Sequence, residues 1–295
     1  MSNFPPANNG MSKAQRRAAE AQRREAELAA AARRQRLRIA GLATAAVVLV
    51  IALIVVFALA TKKSPAPKAA PATDFAHDVK VLTSIPASTY DKVGAGTTLA
   101  RPKKTAGPVI TEKGKPVVIY VGAEFCPFCA GERWALVAAL SRFGTFSHLG
   151  QASSAADDVY PSTSTLTFHG ATYSSKYVTF SGTEVQDDHH QPLDTPPARD
   201  NKLWTTIGQG GFPFVDLGGA YALSGAQYLP DALHGGSQDG AALGWDEIAK
   251  DLADPTTPIS TSINGSANVL TAEICTLTHN QPANVCTSAG VTAAK

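Results

Sequence analysis

Within 24 residues the sequence VVIYVGAEFCPFCAGERWALVAAL, residues 117–140, switches from a continuous β-branched run to a helical repeat, with two cysteines at the changeover. The run VVIYV at 117–121, opened by Gly114, Lys115 and Pro116, predicts a strand buried on both faces of a sheet. From Cys126 the period lengthens: Pro127 suits the first turn of a helix, where its missing N–H costs nothing. Trp134, Val137 and Leu140 then recur at helical spacing until Gly144. A C-x-x-C pair, Cys126 and Cys129, is thereby expected on a strand-to-helix turn. There the unpaired backbone N–H groups and the positive end of the helix dipole favour a thiolate on Cys126. Cys129, one turn further in, would resolve a mixed disulfide. A structural bridge or half of a zinc site are the competing readings, and zinc needs two more close ligands.

Ala123 to Cys129, AEFCPFC, resembles the active-site turn of the thioredoxin family, including the aromatic residue before the first cysteine. Downstream, GFPFV at 211–215 resembles the segment in which that family places a cis-proline facing the dithiol. The resemblance implies a thioredoxin-like α/β fold, a cis peptide before Pro213, and docking of a partner chain at Phe212 and Pro213. More narrowly, FCPFCAGERWAL, the stretch YPSTSTLTFHGATYSSKYVTF and a C-terminal cysteine pair resemble an uncharacterised prokaryotic family of membrane-anchored thioredoxin-like proteins with an FCPFCAxERWA signature, over about 74–286. Two positions depart from the thioredoxin pattern. Tyr120 stands six residues before Cys126, where a buried carboxylate is usual, and Pro-Phe separates the cysteines in place of Gly-Pro. The redox direction is therefore open.

The N-terminal part reads differently. Residues 1–12 lack periodicity, and 13–38 carry nine basic residues against three acids with almost no apolar stripe. A basic cytoplasmic tail, disordered then helical, is expected over 1–38; nothing in it supports nucleic-acid binding. Residues 39–60 hold 22 residues without a charge, near the roughly 20 that cross a bilayer. They predict a single transmembrane helix in the lipid bilayer, with the N-terminus cytoplasmic and the following domain extracytoplasmic. Ala58, Leu59 and Ala60 resemble a signal-peptidase site, but the apolar stretch is longer than a usual signal peptide, and an uncleaved anchor is expected. Residues 61–73 read as a Pro/Ala linker and 74–290 as the globular domain, with an inserted β-hairpin region at 160–185 and a helical C-terminal extension.

Within that domain a second buried strand is expected at 146–152, a polar loop at 186–201 and a short helix at 202–208. Paired strands are expected at 214–217 and 220–228, and helices at 245–252 and 259–277. Cys275 and Cys286 read as a structural disulfide stapling the extension, with a redox relay as the alternative. Glu124, Phe125, Phe128 and Arg133 flank the dithiol as second-tier candidates, joined by Glu132; a solvated charged face is the competing reading for the acids and the arginine. Asp187, Asp188, His189 and His190 are metal-ligand types, but four consecutive residues in a proline-rich loop rarely converge on one ion, so no metal is expected. Asn264, Gly265 and Ser266 match a glycosylation sequon.

The expected function is thiol–disulfide exchange with envelope or secreted proteins, with protein thiols and disulfides and a membrane redox partner as partners and no cofactor. The alternative is a redox-inactive module of the same fold that binds an envelope partner. Accessibility of Cys126 discriminates the two.

Overall fold

The computed structural model describes residues 71–295, which lie within the unit Ser64–Lys295. The expected tail at 1–38, the membrane helix at 39–60 and nearly all of the linker lie outside the described residues.

Two short helices open the described chain, α1 (Phe75–Thr83) and α2 (Ala87–Val93). Asp74 caps α1 by accepting the His77 N–H at 3.0 Å. Just before it, Thr73 donates to Asp246, so the chain is already docked where a free linker was expected to end. Strands β1 (Lys103–Lys104), β2 (Thr111–Glu112) and β3 (Lys115–Gly122) follow, then α3 (Pro127–Leu140). Next come β4 (Gly144–Ser147), β5 (Gly150–Ser153), β6 (Ser164–Thr167), β7 (Thr172–Ser175) and β8 (Thr179–Glu184). The last part holds α4 (Ala198–Thr206), β9 (Phe214–Leu217), β10 (Tyr221–Ser224), a 3-10 turn at Pro230–His234, α5 (Trp245–Leu252), α6 (Pro258–Leu277), α7 (Ala283–Cys286) and α8 (Ala289–Ala293).

The main sheet runs β1-β10-β9-β3-β2, with β8 also on β3. β3 is its centre, antiparallel to β9 and parallel to β8, with Val117 opposite Thr179 and Gly122 opposite Glu184. Successive side chains of β3 point to opposite faces. Val118 and Tyr120 join the larger core with Trp134, Leu140, Phe168, Leu270 and Ile274 under α3 and α6. Val117, Ile119 and Val121 meet Phe214 and Ala222 on the other face, where Leu203 and Trp204 of α4 pack over them. This two-sided burial is why the run reads as continuously apolar.

Several expectations are corrected here. The stretch at 146–152 forms no buried strand: it divides between β4 and β5, both partly exposed, and each pairs in its own two-stranded sheet, β4 with β7 and β5 with β6. The inserted region is consequently not a hairpin. Gly170, at φ +73°, turns the chain between β6 and β7, but these two strands pair elsewhere and β8 enters the main sheet. The short helix begins earlier than 202, at Ala198 behind Pro197. The domain also runs beyond 290, because Val291 and Ala294 are buried.

The expected thioredoxin-like domain preceded by a membrane helix is itself corrected to a mixed α/β fold. Among the described residues no helix is long and apolar enough to cross a membrane. The longest, α6, has 20 residues but carries Asn264, Asn268 and several hydroxyls. The expected single-pass membrane localisation is corrected with it, since no helix among the described residues is suited to span a bilayer.

α6 explains the helical extension. Thr257 caps it by accepting the Ser260 N–H, and its buried amides donate internally, Asn264 to the Leu252 carbonyl at 2.9 Å and Asn268 to the Tyr90 carbonyl at 2.8 Å. Asn264 is fully buried, so the sequon is closed to modification in the folded chain. The Cys275–Cys286 disulfide ties the end of α6 to α7. Closing a loop of this size contributes about 2–3 kcal/mol in the chain-entropy model.

Candidate active site

The dithiol sits where β3 hands over to α3. Cys126 is the N-cap of the helix: its backbone is extended, and its sulfur accepts the Cys129 N–H at 3.3 Å. The turn is pinned from both sides. The Cys126 N–H donates to the Ala123 carbonyl at 3.2 Å, Glu124 N–H to the Gln186 carbonyl at 2.8 Å, and Ala155 N–H to the Phe125 carbonyl at 2.9 Å. Both cysteines are free thiols; Cys126 is 7% exposed and Cys129 is fully buried.

Their acidities are driven apart. The Cys126 thiol is lowered by the hydrogen bond from the Cys129 side chain, against the effect of burial, and further by the Cys129 N–H and by Arg133. Burial pushes Cys129 well above the ordinary thiol value, and its bond to Cys126 adds to this. The pair thus has one sulfur biased toward thiolate and one held protonated until the first has reacted.

Arg133, four residues after Cys129, lies on the same helical face and is fully buried. Its Nε and one Nη donate to the two Glu184 carboxylate oxygens at 2.8 Å each, and that Nη also donates to the Ala123 carbonyl at 2.6 Å. Ala123 is the residue whose carbonyl also receives the Cys126 N–H, so the guanidinium lies directly beneath the dithiol turn. Burial opposes the Arg133 charge, but Glu184 more than offsets it and the guanidinium stays protonated. Its other Nη has no partner, and neither has the buried hydroxyl of Tyr120. A Cβ on Gly122 would collide with that hydroxyl, so glycine is required where β3 passes over the ring.

Of the charges for which a solvated face was the competing reading, Glu132 and Arg133 are inside and Glu124 is partly exposed. Glu132 is fully buried, with one oxygen accepting the Gln227 N–H at 3.1 Å and the other unpartnered. Burial raises its pKa from 4.5 to about 8. Between those values the folded chain holds a proton that the unfolded chain has lost, so stability falls as pH rises, by up to about 1.4 kcal/mol per pH unit, and levels off above about 8. The buried carboxyl of Asp216, raised to about 6, adds a slope of the same sign at lower pH. Glu132→Gln is expected to flatten the profile between pH 6 and 8, read by chemical denaturation across that range.

Around Cys126 the surface is aromatic. Phe125 lies against His190 with ring centroids 4.1 Å apart and edge-on to Phe212 at 6.1 Å, and Phe212 stacks on Trp204 at 5.4 Å. On the other side, Phe128 meets Tyr160 at 5.9 Å. The peptide Phe212–Pro213 is cis; Pro213 is buried and Phe212 partly exposed.

A family model described as a domain of unknown function, DUF929, matches residues 103–200. No curated protein and no solved structure matches the chain. The DUF929 match begins at β1 and ends in α4, taking in the dithiol turn, Arg133, Glu184 and His190, but not Phe212, Pro213 or the Cys275–Cys286 disulfide. It is consistent with the uncharacterised family that the FCPFCAGERWAL run resembles. It carries no thioredoxin-like assignment.

Of the expected residues, Cys126, Cys129, Phe125, Phe128, Arg133, Phe212 and Pro213 converge. Glu124 is partly exposed beside them, fixed through its backbone. Cys275 and Cys286, bonded to each other, stand apart as a staple. Glu184, Trp204 and Tyr160 carry no local sequence signal that marks them as site residues, and His190 reads from sequence only as a metal-ligand type. Asp187 instead closes a turn, accepting the His189 and Gln191 N–H groups at 2.9 and 2.8 Å. Among the described residues, no group of three or more His, Cys, Asp or Glu side chains is arranged to hold a metal ion.

Proposed function

We propose that this chain is a thiol–disulfide oxidoreductase acting on protein thiols and disulfides through Cys126 and Cys129. The observation that carries the reading is the capping geometry: the Cys126 sulfur accepts the Cys129 N–H at the start of a 14-residue helix, over a buried guanidinium, with a second free thiol one turn away. The resemblance of AEFCPFC to the thioredoxin active-site turn supports it.

In the reducing direction the Cys126 thiolate attacks one sulfur of a substrate disulfide. A Cys126–substrate bond forms, and the other substrate sulfur leaves as a thiolate and takes a proton from water. Cys129 then gives up its proton and attacks the Cys126 sulfur, closing the Cys126–Cys129 disulfide and releasing the second substrate thiol. Run backwards, the same two steps oxidise a substrate dithiol. Arg133 is a positioning residue that stabilises whichever sulfur is anionic. Phe125 and Phe212, the latter set in place by the buried Pro213, form the surface that the partner chain meets.

A second reading, a binding module with an idle dithiol, draws on the 7% exposure of Cys126. Timed alkylation of the reduced full chain near neutral pH separates them. Exchange requires Cys126 to be modified well before Cys129 and faster than an unperturbed thiol. Equal, slow modification of both, or modification only on unfolding, favours the idle module.

A further inference from the structure

The face of the main sheet under α4 is only partly covered. α4 has nine residues and packs over the cluster of β3, β9 and Ala222, which leaves that face open beyond Ala222, toward Ser224 and β1. A groove of about 710 Å³ remains there, lined by Leu99, Arg101, Lys103, Lys104, Ile207 and Ser224 among others. Its apolar walls face water, Leu99 being 70% and Ile207 39% exposed. Among the described residues, no carboxylate lines it. Arg101 is engaged, donating to the Ala294 carbonyl and lying near Glu273. Lys103 and Lys104 are exposed and form no ion pair among the described residues. They form β1, the edge of the sheet, so one side of that strand has no neighbour among the described residues.

The groove is also continuous with the dithiol surface at two points. Ser224 lines it, and the next residue, Gly225, donates to the Pro213 carbonyl at 2.8 Å. Ile207 lines it from the end of α4, one turn after Trp204, which stacks on Phe212. β1 lies three strand spacings from β3, about 14 Å, a distance that an extended chain covers with four or five residues at about 3.3 Å each.

We propose that this groove holds an extended acidic segment of the same protein substrate whose sulfur reaches Cys126. Leu99 and Ile207 cover apolar side chains of that segment; Lys103, on the groove face with Ala222, pairs with a carboxylate there, Lys104 with one on the opposite face, and the free edge of β1 accepts its backbone. This rests on the oxidoreductase reading, and the test separates the two.

The full chain is titrated with a short fluorescent, cysteine-free peptide of repeating Val-Val-Glu-Glu, which shows glutamate on both faces of an extended strand, and with its lysine counterpart, at low and at physiological ionic strength. In parallel, exchange is measured with hydroxyethyl disulfide, a small uncharged disulfide. The glutamate peptide is expected to bind about tenfold or more tightly than the lysine peptide at low salt, the difference shrinking as salt screens it. Lys103→Glu with Lys104→Glu is expected to reverse the preference, and Lys103→Gln with Lys104→Gln to abolish it, while exchange with the small disulfide is unchanged in both. Equal binding of the two peptides, or a preference that survives these changes, overturns the proposal even if exchange is normal. Selective binding without exchange would keep the groove as an acidic-peptide site and remove the oxidoreductase reading.

Discussion

Arg133→Met is expected to destabilise the fold by about 3–5 kcal/mol and to raise the pKa of the Cys126 thiol. Methionine keeps most of the volume but removes a guanidinium that makes two 2.8 Å bonds to Glu184 and one of 2.6 Å to the Ala123 carbonyl. Glu184 would then be a carboxyl with no cation, fully buried, and breaking one side of a buried ion pair typically costs that much. Part of the loss reflects the burial of Glu184, so the double variant Arg133→Met with Glu184→Leu is expected to recover most of the stability, since a buried pair and a well-packed apolar pair are often close in energy. The thiol is not expected to recover, because both Cys126 and Cys129 lose the positive charge beneath them. Chemical denaturation reads the first effect, and thiolate absorbance against pH the second. A double variant with normal stability and an unshifted Cys126 would make Arg133 a packing residue without influence on the dithiol.

The second large effect concerns the two sulfurs. Cys126→Ser is expected to abolish exchange, since the remaining thiol is fully buried and held protonated. Cys129→Ser should behave differently: Cys126 still attacks, nothing resolves the product, and the chain accumulates as a mixed disulfide visible by non-reducing electrophoresis and mass spectrometry. In Cys129→Ala, which keeps no side-chain donor, the Cys126 pKa is expected to rise, because the largest contribution lowering it is the hydrogen bond from the Cys129 side chain. Should Cys126→Ser retain exchange while Cys129→Ser loses it, the roles of attacking and resolving sulfur would be reversed.

How much of this was readable in advance depended on how local the signal was. The strand at 117–121 and the helix from Pro127 were legible because the apolar period changes abruptly across seven residues. The helix at 245–252 was legible for the same reason of periodicity, and the bonded pair Cys275–Cys286 from its spacing around a proline turn. The parallel neighbour of β3 was not. β8, TFSGTE, has a single large apolar residue, Phe180, and owes its place to backbone pairing and to Glu184 meeting Arg133 across 51 positions of sequence. The same distance hid the site's electrostatics: a charged pair on a helix reads as a solvated face unless the buried partner is visible, and Glu132 and Arg133 both went inside. The strand expected at 146–152 failed because Gly150 and the small polar residues around it offer too little apolar surface to hold a place in the main sheet, so the segment divided into two short edge pairs.

The most direct measurement is equilibration of the full chain with glutathione buffers of graded redox potential, with the states of Cys126–Cys129 and Cys275–Cys286 resolved by mass spectrometry. The account predicts that Cys126–Cys129 interconverts reversibly between dithiol and disulfide with a defined midpoint, while Cys275–Cys286 stays oxidised throughout. A Cys126–Cys129 pair that never equilibrates with glutathione in the folded chain would contradict it.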